Sequence, residues 1–331
     1  MTIVKARDSE LILRAARLYY EKNQSQDQVA LALGTSRSNV SRMLSDAKRL
    51  GFVQIKIVAP IIRHKSLSAQ LHKVLNIKDV QVIGSDRSET TFTSVGRAAA
   101  AALNKSLKAN STIAISWGRG VEATVVEVSS DPLPGLRVTQ LMGGLSTIAT
   151  SDSAEELGRT LAQNLNAQFI PLRSPAVVSS ARTRNTLLNE DSISQVLEIA
   201  RRADIALVGI GSQGSPSSQE VLKHFHFTKA EYEKASRAYS GDVSARFYDH
   251  NGTSISSEMD NRVIGLTLDE ISKIPQVIGI AAGKEKAQGV LGAARTGLVD
   301  TLVTDIACAT EVLKLALAEK PGKVINPAES A

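Results

Sequence analysis

Two arginines and three serines are concentrated between positions 36 and 42, where their side chains could contact a polyanion: Ser36, Arg37, Ser38, Ser41 and Arg42. An arginine guanidinium can donate paired hydrogen bonds to a guanine edge or to a phosphate, and a serine hydroxyl can contact either group. This chemistry requires the five side chains to share one exposed surface, so the elements around them decide whether it is possible.

The surrounding sequence predicts three short helices. Apolar residues recur at helical spacing between positions 8 and 21. A capping-box pattern at Ser25 opens a second helix, which we expect to end at Gly34 because glycine adopts left-handed backbone angles easily. Ser36 can cap a third helix that runs to about position 50. A short helix, a glycine turn and a second helix are typical of a helix-turn-helix.

The buried positions of this motif determine which side chains point outward. The small Ala30 would let the two helices approach, and Val40 would be buried six residues after the glycine. The arginines and serines of the third helix then face outward, and Gln26 is placed to contact a phosphate. We therefore predict double-stranded DNA as a partner. The alternative is a small helical hairpin with no role in DNA binding.

The distribution of charge is consistent with a polyanionic partner for the first part of the chain. The net charge of the 331 residues is +6, yet the first sixty residues carry ten Lys or Arg against five acidic residues. The remainder carries 29 basic and 28 acidic residues and is nearly neutral. A small basic unit joined to a large neutral one suggests that the small unit meets the polyanion.

A domain boundary is expected just before position 60. Residues 52–58 alternate between apolar and polar side chains, which predicts a strand that could form a small wing beside the helices. Pro60 interrupts that pattern. We therefore predict an all-α helix-turn-helix domain over residues 1–59 and a second domain over residues 60–331.

The second domain alternates between short apolar runs and amphipathic stretches. This pattern predicts a Rossmann-like α/β domain, with a parallel sheet covered by helices on both faces. Such sheets bind ligands in the loops at the carboxyl ends of their strands. Seven strands are predicted, at 79–83, 112–116, 136–140, 168–171, 205–210, 277–281 and 301–304. Helices are predicted at 64–75, 94–107, 154–166, 193–202, 287–295 and 310–318, with a further one from about 121.

The loop after the second of these strands has the composition of a phosphate site. Trp117, Gly118, Arg119 and Gly120 precede a predicted helix, so backbone N–H groups and the helix dipole could bind an anion, with Arg119 adding a charge. The alternative is a tight turn with a buried tryptophan.

The run from Gly209 to Gly214 matches the G-x-G-x-x-G pattern of dinucleotide-binding proteins. A polar segment, 215–218, intervenes where a cofactor site requires a helix to begin at once. We therefore expect Gly211 and Ser212 to approach a small polar ligand, and we predict no cofactor.

Three charged residues in other loops are candidates for ligand contact. Lys286 could neutralise a phosphate, or could be a solvated surface charge. Asp242 could accept hydrogen bonds from sugar hydroxyls, or could stabilise a turn. Asp305 follows a strand and precedes a helix, which favours a helix cap over a ligand contact.

Several classes of protein are excluded by composition. The longest apolar runs are far shorter than the ~20 residues of a membrane-spanning helix, and the first ten residues lack the apolar core of a secretory signal. Cys308 is the single cysteine, so it can form neither an internal disulfide nor a zinc cluster. No motif of nucleophilic or metal-dependent catalysis is present. We expect a cytoplasmic protein that is not an enzyme.

Taken together, these features resemble the SorC/DeoR family of sugar-responsive bacterial transcriptional regulators over residues 10–318. The motifs that carry the resemblance are Ser38-Asn39-Val40-Ser41-Arg42, Ser116-Trp117-Gly118-Arg119, Gly143-Gly144, Pro175-Ala176, Val208-Gly209-Ile210-Gly211-Ser212, Gly241-Asp242-Val243, Arg246-Phe247, Gly283 to Lys286, and Leu302-Val303-Thr304-Asp305.

The resemblance implies an operator-binding N-terminal domain and a C-terminal effector domain akin to sugar-phosphate isomerases and deaminases, assembled as a dimer or tetramer. It implies that a sugar, a polyol or a sugar phosphate binds in the second domain. Carried over by position, the effector contacts fall on Trp117, Gly118 and Arg119, on Asp242 and on Lys286.

The sequence departs from the family pattern at three positions. Gly120 replaces a common threonine, Ala282 replaces a glycine, and Met142 offers no amine for an imine with an aldehyde sugar. These departures leave an unphosphorylated polyol or ketose open as the effector. The sequence therefore predicts a DNA-binding regulator that senses a carbohydrate. The alternatives are a sugar-phosphate isomerase or deaminase with an accessory basic domain, and a DNA-binding protein without a small ligand.

Overall fold

A computed structural model describes residues 6–53, 55, 60–85, 90–129, 131–145, 153–255 and 259–319 of the chain. The internal contacts divide the chain into two compact units, Met1–Pro60 and Ile61–Ala331. Among the described residues, no helix combines the length and the apolar character needed to cross a lipid bilayer.

The first unit contains three helices around a small apolar core. Helix α1 (Ala6–Ala16) continues into a π-helical turn, and α2 (Gln26–Leu33) and α3 (Arg37–Arg49) follow. The predicted capping box at Ser25 is present, and Gly34 ends α2 with a left-handed φ of 61°. The side chain of Ser36 caps α3, also as predicted. The buried core consists of Ile12, Ala15, Ala16, Val29, Ala30, Val40, Met43, Leu44 and Ala47. Most of the strand predicted at 52–58 lies outside the described residues.

The second unit is built on an eight-stranded sheet with the order β1-β2-β11-β10-β6-β3-β4-β5. All neighbouring strands are parallel except β1, which pairs antiparallel with β2 at one edge. The predicted α/β core is therefore confirmed, with every predicted strand present. The strands of the chain are β1 (Ile62–Arg63), β2 (Asp79–Gly84), β3 (Thr112–Ile115), β4 (Arg137–Gln140), β5 (Gln168–Ile170), β6 (Ile205–Gly209), β7 (Gly211–Ser212), β8 (Gly241–Val243), β9 (Arg246–Tyr248), β10 (Gln276–Ala281) and β11 (Thr301–Asp305).

Helices cover both faces of this sheet, as the apolar strands require. Leu207 packs with the helices of one face, and its neighbours Ala206 and Val208 pack with those of the other. The helices are α4 (Lys65–Leu75), α5 (Thr91–Ser106), α6 (Arg119–Glu127), α7 (Ala154–Asn164), α8 (Ala181–Leu188), α9 (Asp191–Arg201), α10 (Pro216–Lys223), α11 (Lys229–Ala238), α12 (Leu268–Ser272), α13 (Ala287–Thr296) and α14 (Ile306–Ala318).

A second, three-stranded antiparallel sheet joins β7, β8 and β9. The predicted loop at Gly241 and Asp242 is wrong, because both residues lie in β8. Strands this short have no apolar alternation of their own, and Asp242 finds its pairing partner Gly211 thirty-one residues away. The short helices α8, α10, α11 and α12 are likewise absent from the sequence prediction.

The buried Arg246 forms hydrogen bonds with residues 260–266, a segment that follows the small sheet in the chain. Its side chain is 1% exposed. Its Nε donates to the carbonyl of Leu266 (3.0 Å), Nη2 donates to those of Gly265 (2.9 Å) and Val263 (3.4 Å), and Nη1 donates to the carbonyl (2.9 Å) and carboxylate (3.2 Å) of Asp260. One guanidinium therefore holds four residues of this segment in place.

Candidate functional site

A cavity opens at the carboxyl ends of the three central strands β3, β6 and β10, where the parallel sheet predicts a ligand site. It has a volume of about 550 Å³, including the space open to solvent. It is lined by Phe92, Trp117, Gly118, Arg119, Gly120, Gly209, Ile210, Gly211, Ser217, Val221, Asp242, Ser244, Ile280, Ala281, Ala282 and Lys286. Six of the seven residues predicted to bind the effector thus lie around one cavity.

The loop after β3 forms one wall. Gly118 has a φ of 121°, which favours glycine, and it immediately precedes α6. Arg119 is exposed, with its Cζ 4.8 Å from the centre of the Phe92 ring, so a cation–π contact holds the guanidinium beside the cavity. The indole N–H of Trp117 donates to the Sδ of Met142 at 3.1 Å. Met142 is fully buried beneath this loop.

The close packing of α6 against the sheet explains one departure from the family pattern. A Cβ on Gly120 would lie 2.7 Å from Cγ2 of Ile280 in β10, closer than packed atoms tolerate. A threonine at this position would require α6 or the Ile280 side chain to shift. The close approach of α6 to β10 therefore favours glycine at position 120.

Asp242 is a buried carboxylate in the cavity wall. Its side chain is 7% exposed, and Ser218 donates a hydrogen bond of 2.5 Å to its Oδ1. Burial raises the pKa of Asp242, opposed by this hydrogen bond and by the charge of Lys286. A Cβ on the paired Gly211 would overlap Oδ1, so glycine makes room for the carboxylate.

Lys286 is also buried, which overturns its interpretation as a solvated surface charge. It ends a 3₁₀ turn before α13, is 7% exposed, and donates to the hydroxyls of Ser215 (3.3 Å) and Ser217 (3.1 Å). Burial lowers the pKa of Lys286; the charge of Asp242 opposes this shift and that of Arg119 adds to it. A carboxylate and an ammonium therefore line the same cavity, an arrangement that can bind a hydroxyl-rich or anionic molecule.

Two further candidates have structural roles. Ser212 is 1% exposed, does not line the cavity, and accepts a hydrogen bond of 3.2 Å from the backbone N–H of Gly289. Asp305 caps α14 as predicted, because its carboxylate accepts from the N–H groups of Ala307 and Cys308. It also accepts from the N–H of Gly283 at 2.9 Å, which ties the Lys286 turn to β11.

Phe92, Ser217 and Ser244 are among the cavity-lining residues that the sequence does not single out. Phe92 lies in the first turn of α5, which follows the carboxyl end of β2, and the loop after that strand is not among the predicted ligand loops. Ser217 belongs to the polar segment after the glycine run, where no helix is predicted; that prediction is wrong, because α10 begins there at Pro216. No local signal distinguishes Ser244 from other turn serines.

The residues predicted to contact DNA lie on the first unit. Ser36, Arg37, Ser38, Ser41 and Arg42 are all exposed around the start of α3, and Gln26 is half-buried at the start of α2.

The exposed residues of α3 differ in how their polar atoms are used. The Ser36 hydroxyl accepts the capping hydrogen bond from Asn39 and lies 3.0 Å from the Ser38 hydroxyl. Arg37 lies 3.8 Å from the carboxylate of Asp27, an exposed pair of little energetic weight. Within the described residues, Arg42 has no ion-pair partner.

Comparison with known proteins identifies a family to which most of the chain is similar. Residues 59–314 match the model of a protein family described as "Putative sugar-binding domain". The chain is 27% identical to the deoxyribonucleoside regulator of Bacillus subtilis over 302 residues, which cover 89% of this chain and 95% of that protein. It is 28% identical to the sorbitol operon regulator of Klebsiella pneumoniae over 313 residues, which cover 93% and 98% of the two chains.

The likeness extends to three dimensions. The crystal structure of the full-length sorbitol operon regulator SorC from Klebsiella pneumoniae superposes with a TM-score of 0.69 at 27% identity. The superposition covers 93% of this chain and all of that one, so it includes residues of both units.

Proposed function

The chain belongs to the SorC/DeoR family of transcriptional regulators with a sugar-binding domain, and we propose on that premise that it is a DNA-binding regulator of carbohydrate or polyol genes. A sugar, a polyol or a sugar phosphate would modulate its affinity for the operator. One observation carries this proposal. A single chain joins a basic helical unit with an exposed polar helix face to an α/β unit whose cavity contains Asp242 and Lys286.

In this proposal the first unit is a helix-turn-helix domain, with α3 in the major groove of double-stranded DNA. Arg37 and Arg42 supply the base or phosphate contacts, with Ser38 and Ser41 beside them. Gln26 contacts a phosphate. Ser36 combines a helix cap with a position next to the backbone of the DNA.

A pair of such domains is needed to read an operator with two half-sites about one helical turn apart, which favours a homo-oligomer, a dimer or a tetramer. Binding to chromosomal DNA places the protein in the cytoplasm. The second unit would then serve for both effector binding and assembly.

The effector would occupy the cavity of the second unit. Lys286 and Arg119 would neutralise an anionic group, with Gly118 and the start of α6 donating N–H groups, and Asp242 would accept hydrogen bonds from hydroxyls. Trp117 and Gly211 shape the walls. Effector binding would alter operator affinity through a coupling free energy of typically ~1–3 kcal/mol. No cofactor or catalytic step is needed, and the relatives are named as regulators, which disfavours the isomerase or deaminase alternative.

The direct test is fluorescence anisotropy with DNA from upstream of the protein's own gene, repeated with sorbitol, 2-deoxyribose and a monophosphate of each. The names of the relatives suggest these compounds. We expect specific binding that at least one compound changes fivefold or more, by about 1 kcal/mol. Specific binding that ignores every compound would separate the DNA role from the sensing role. Failure to bind any promoter fragment specifically would contradict the regulator assignment.

A further inference from the structure

Ser244 has a buried hydroxyl without a partner in the wall of the cavity. The residue is 4% exposed and lines the cavity together with Asp242. Its Oγ has no hydrogen-bond partner among the described residues. Proteins rarely leave a buried hydroxyl unpaired, because desolvation of the group is not compensated. An unpaired group of this kind requires an explanation.

The backbone at Ser244 is strained. Ser244 and Ala245 are the two residues that connect β8 to β9, with Val243 paired to Arg246 across the hairpin. Their φ angles are 51° and 58°, in the left-handed region that glycine and asparagine occupy most easily. Neither residue is of the favoured type, so the hairpin retains a serine at a conformational cost of its own.

The neighbouring residues fix this strained turn in place. Val243 and Phe247 are fully buried, and Arg246 is held by its five hydrogen bonds to the segment from Asp260 to Leu266. The turn therefore cannot relax by shifting its strands. Its geometry keeps the serine at the cavity instead of turning it to solvent.

Asp242 and Ser244 are two residues apart, and both line the cavity. The carboxylate, when ionised, can only accept hydrogen bonds, whereas the hydroxyl can both donate and accept. Each hydroxyl of a polyol or an open-chain sugar also donates and accepts. The pair therefore complements two hydroxyls of one such molecule better than either group alone.

We propose that Ser244 is a specificity-determining residue of the effector cavity, whose hydroxyl bonds a hydroxyl of a polyol or open-chain sugar next to the one bound by Asp242. This inference rests on the proposed binding of a carbohydrate in that cavity. It assigns the recognition of uncharged hydroxyls to β8 and its turn. Where a ligand has an anionic end, Lys286 and Arg119 bind it.

The test compares Ser244→Ala with Ala245→Gly, which relieves the backbone strain of the neighbouring turn residue and leaves the Ser244 hydroxyl in place. Binding of sorbitol, xylitol and ribitol to the full chain is followed by the fluorescence of Trp117, the only tryptophan in the sequence. We expect Ser244→Ala to weaken binding of the best of the three polyols on the order of threefold to tenfold, as the loss of one hydrogen bond predicts. Ala245→Gly should bind it like the unmodified protein.

Melting temperature separates this role from a structural one. Removal of an unpaired hydroxyl should leave the melting temperature of Ser244→Ala unchanged or higher, and Ala245→Gly should raise it. Inorganic phosphate, which needs the cations and not Ser244, should bind both variants equally.

Two results would overturn the proposal. One is unchanged polyol affinity in Ser244→Ala, whether or not its melting temperature falls, and the other is no saturable response of the unmodified protein to any of the three polyols. Operator binding, measured on the same preparations, reports separately on the regulator function and should be the same for all variants in the absence of polyol.

Discussion

Replacement of Arg246 by methionine should destabilise the second unit strongly while leaving the first unit unchanged. Methionine fills a similar volume, so the main effect is the loss of the guanidinium. That group donates to the carbonyls of Asp260, Val263, Gly265 and Leu266 from a side chain that is 1% exposed. No water can readily replace it at that depth.

The magnitude follows from which carbonyls lose all their donors. Val263 O keeps a hydrogen bond of 2.9 Å from Arg184, and Asp260 O keeps a longer one of 3.4 Å from the backbone of Val263. Gly265 O and Leu266 O have no other donor among the described residues. Each orphaned carbonyl costs about 1–3 kcal/mol. Burial of the charged guanidinium is itself unfavourable, and it lowers the pKa of Arg246. Removal of this buried charge in the methionine variant therefore offsets part of the lost stability. We expect a net loss of about 3 kcal/mol.

The assay is urea unfolding at pH 7, followed by the fluorescence of Trp117. This tryptophan reports on the affected region because Met142, its hydrogen-bond partner, is bridged to Gly265. Arg202→Met is the matched control, since Arg202 is an arginine with an 80% exposed side chain and one ion pair to Glu198; it should change stability by less than about 0.5 kcal/mol.

A lysine at position 246 should not rescue the protein, because its donors radiate from one nitrogen and cannot reach the same carbonyls. A loss of less than about 1 kcal/mol in Arg246→Met, or full stability of Arg246→Lys, would contradict this role of the guanidinium.

Three further predictions concern the proposed DNA-binding residues and the effector cavity. Arg37→Ala should weaken operator binding by about 1–3 kcal/mol if the side chain reads a base; an equal loss on all DNA sequences in anisotropy titrations would assign it to a phosphate instead. Burial raises the pKa of Asp242, so the folded protein holds the proton of this carboxyl more tightly than the unfolded chain does. The stabilisation that results is present below the ordinary carboxyl pKa and is lost as pH rises through the raised value. The unmodified protein should therefore lose stability relative to Asp242→Asn over that interval, and parallel pH curves from urea unfolding would contradict the buried placement. Ser217→Ala removes one hydrogen-bond acceptor of Lys286 and so frees an N–H group of the ammonium for an anion. Inorganic phosphate should then bind threefold to tenfold tighter in calorimetry, which corresponds to one hydrogen bond of about 0.5–1.5 kcal/mol. Weaker binding would show that Ser217 contacts the anion itself.

The elements of this protein follow largely from local sequence. The caps at Ser25 and Ser36, the left-handed Gly34 and the cap at Asp305 are each satisfied by residues within a few positions. The apolar strands of the main sheet are recognisable because both their faces are buried. Their carboxyl ends also fix the location of the cavity, which is lined by residues of the loops after β3 and β6.

The chemistry of the cavity depends instead on contacts between distant segments. The sequence places Lys286 in a loop before a helix, but its burial depends on Ser215 and Ser217, about seventy residues earlier in the chain. Asp242 lies in a strand only because β7 and β9 pair with it on either side.

Local sequence is sufficient to identify the longer helices, the apolar strands of the main sheet and the edge at which a ligand could bind, because periodicity and capping act between neighbours in the chain. The tertiary structure is needed to show which polar groups are buried at that edge and which of them have no partner among the described residues. Burial and hydrogen bonding depend on what the rest of the fold brings to the same place. Ser244 shows the difference, since its type and position resemble those of any turn serine, and only the packed hairpin leaves its hydroxyl unpaired at the cavity wall.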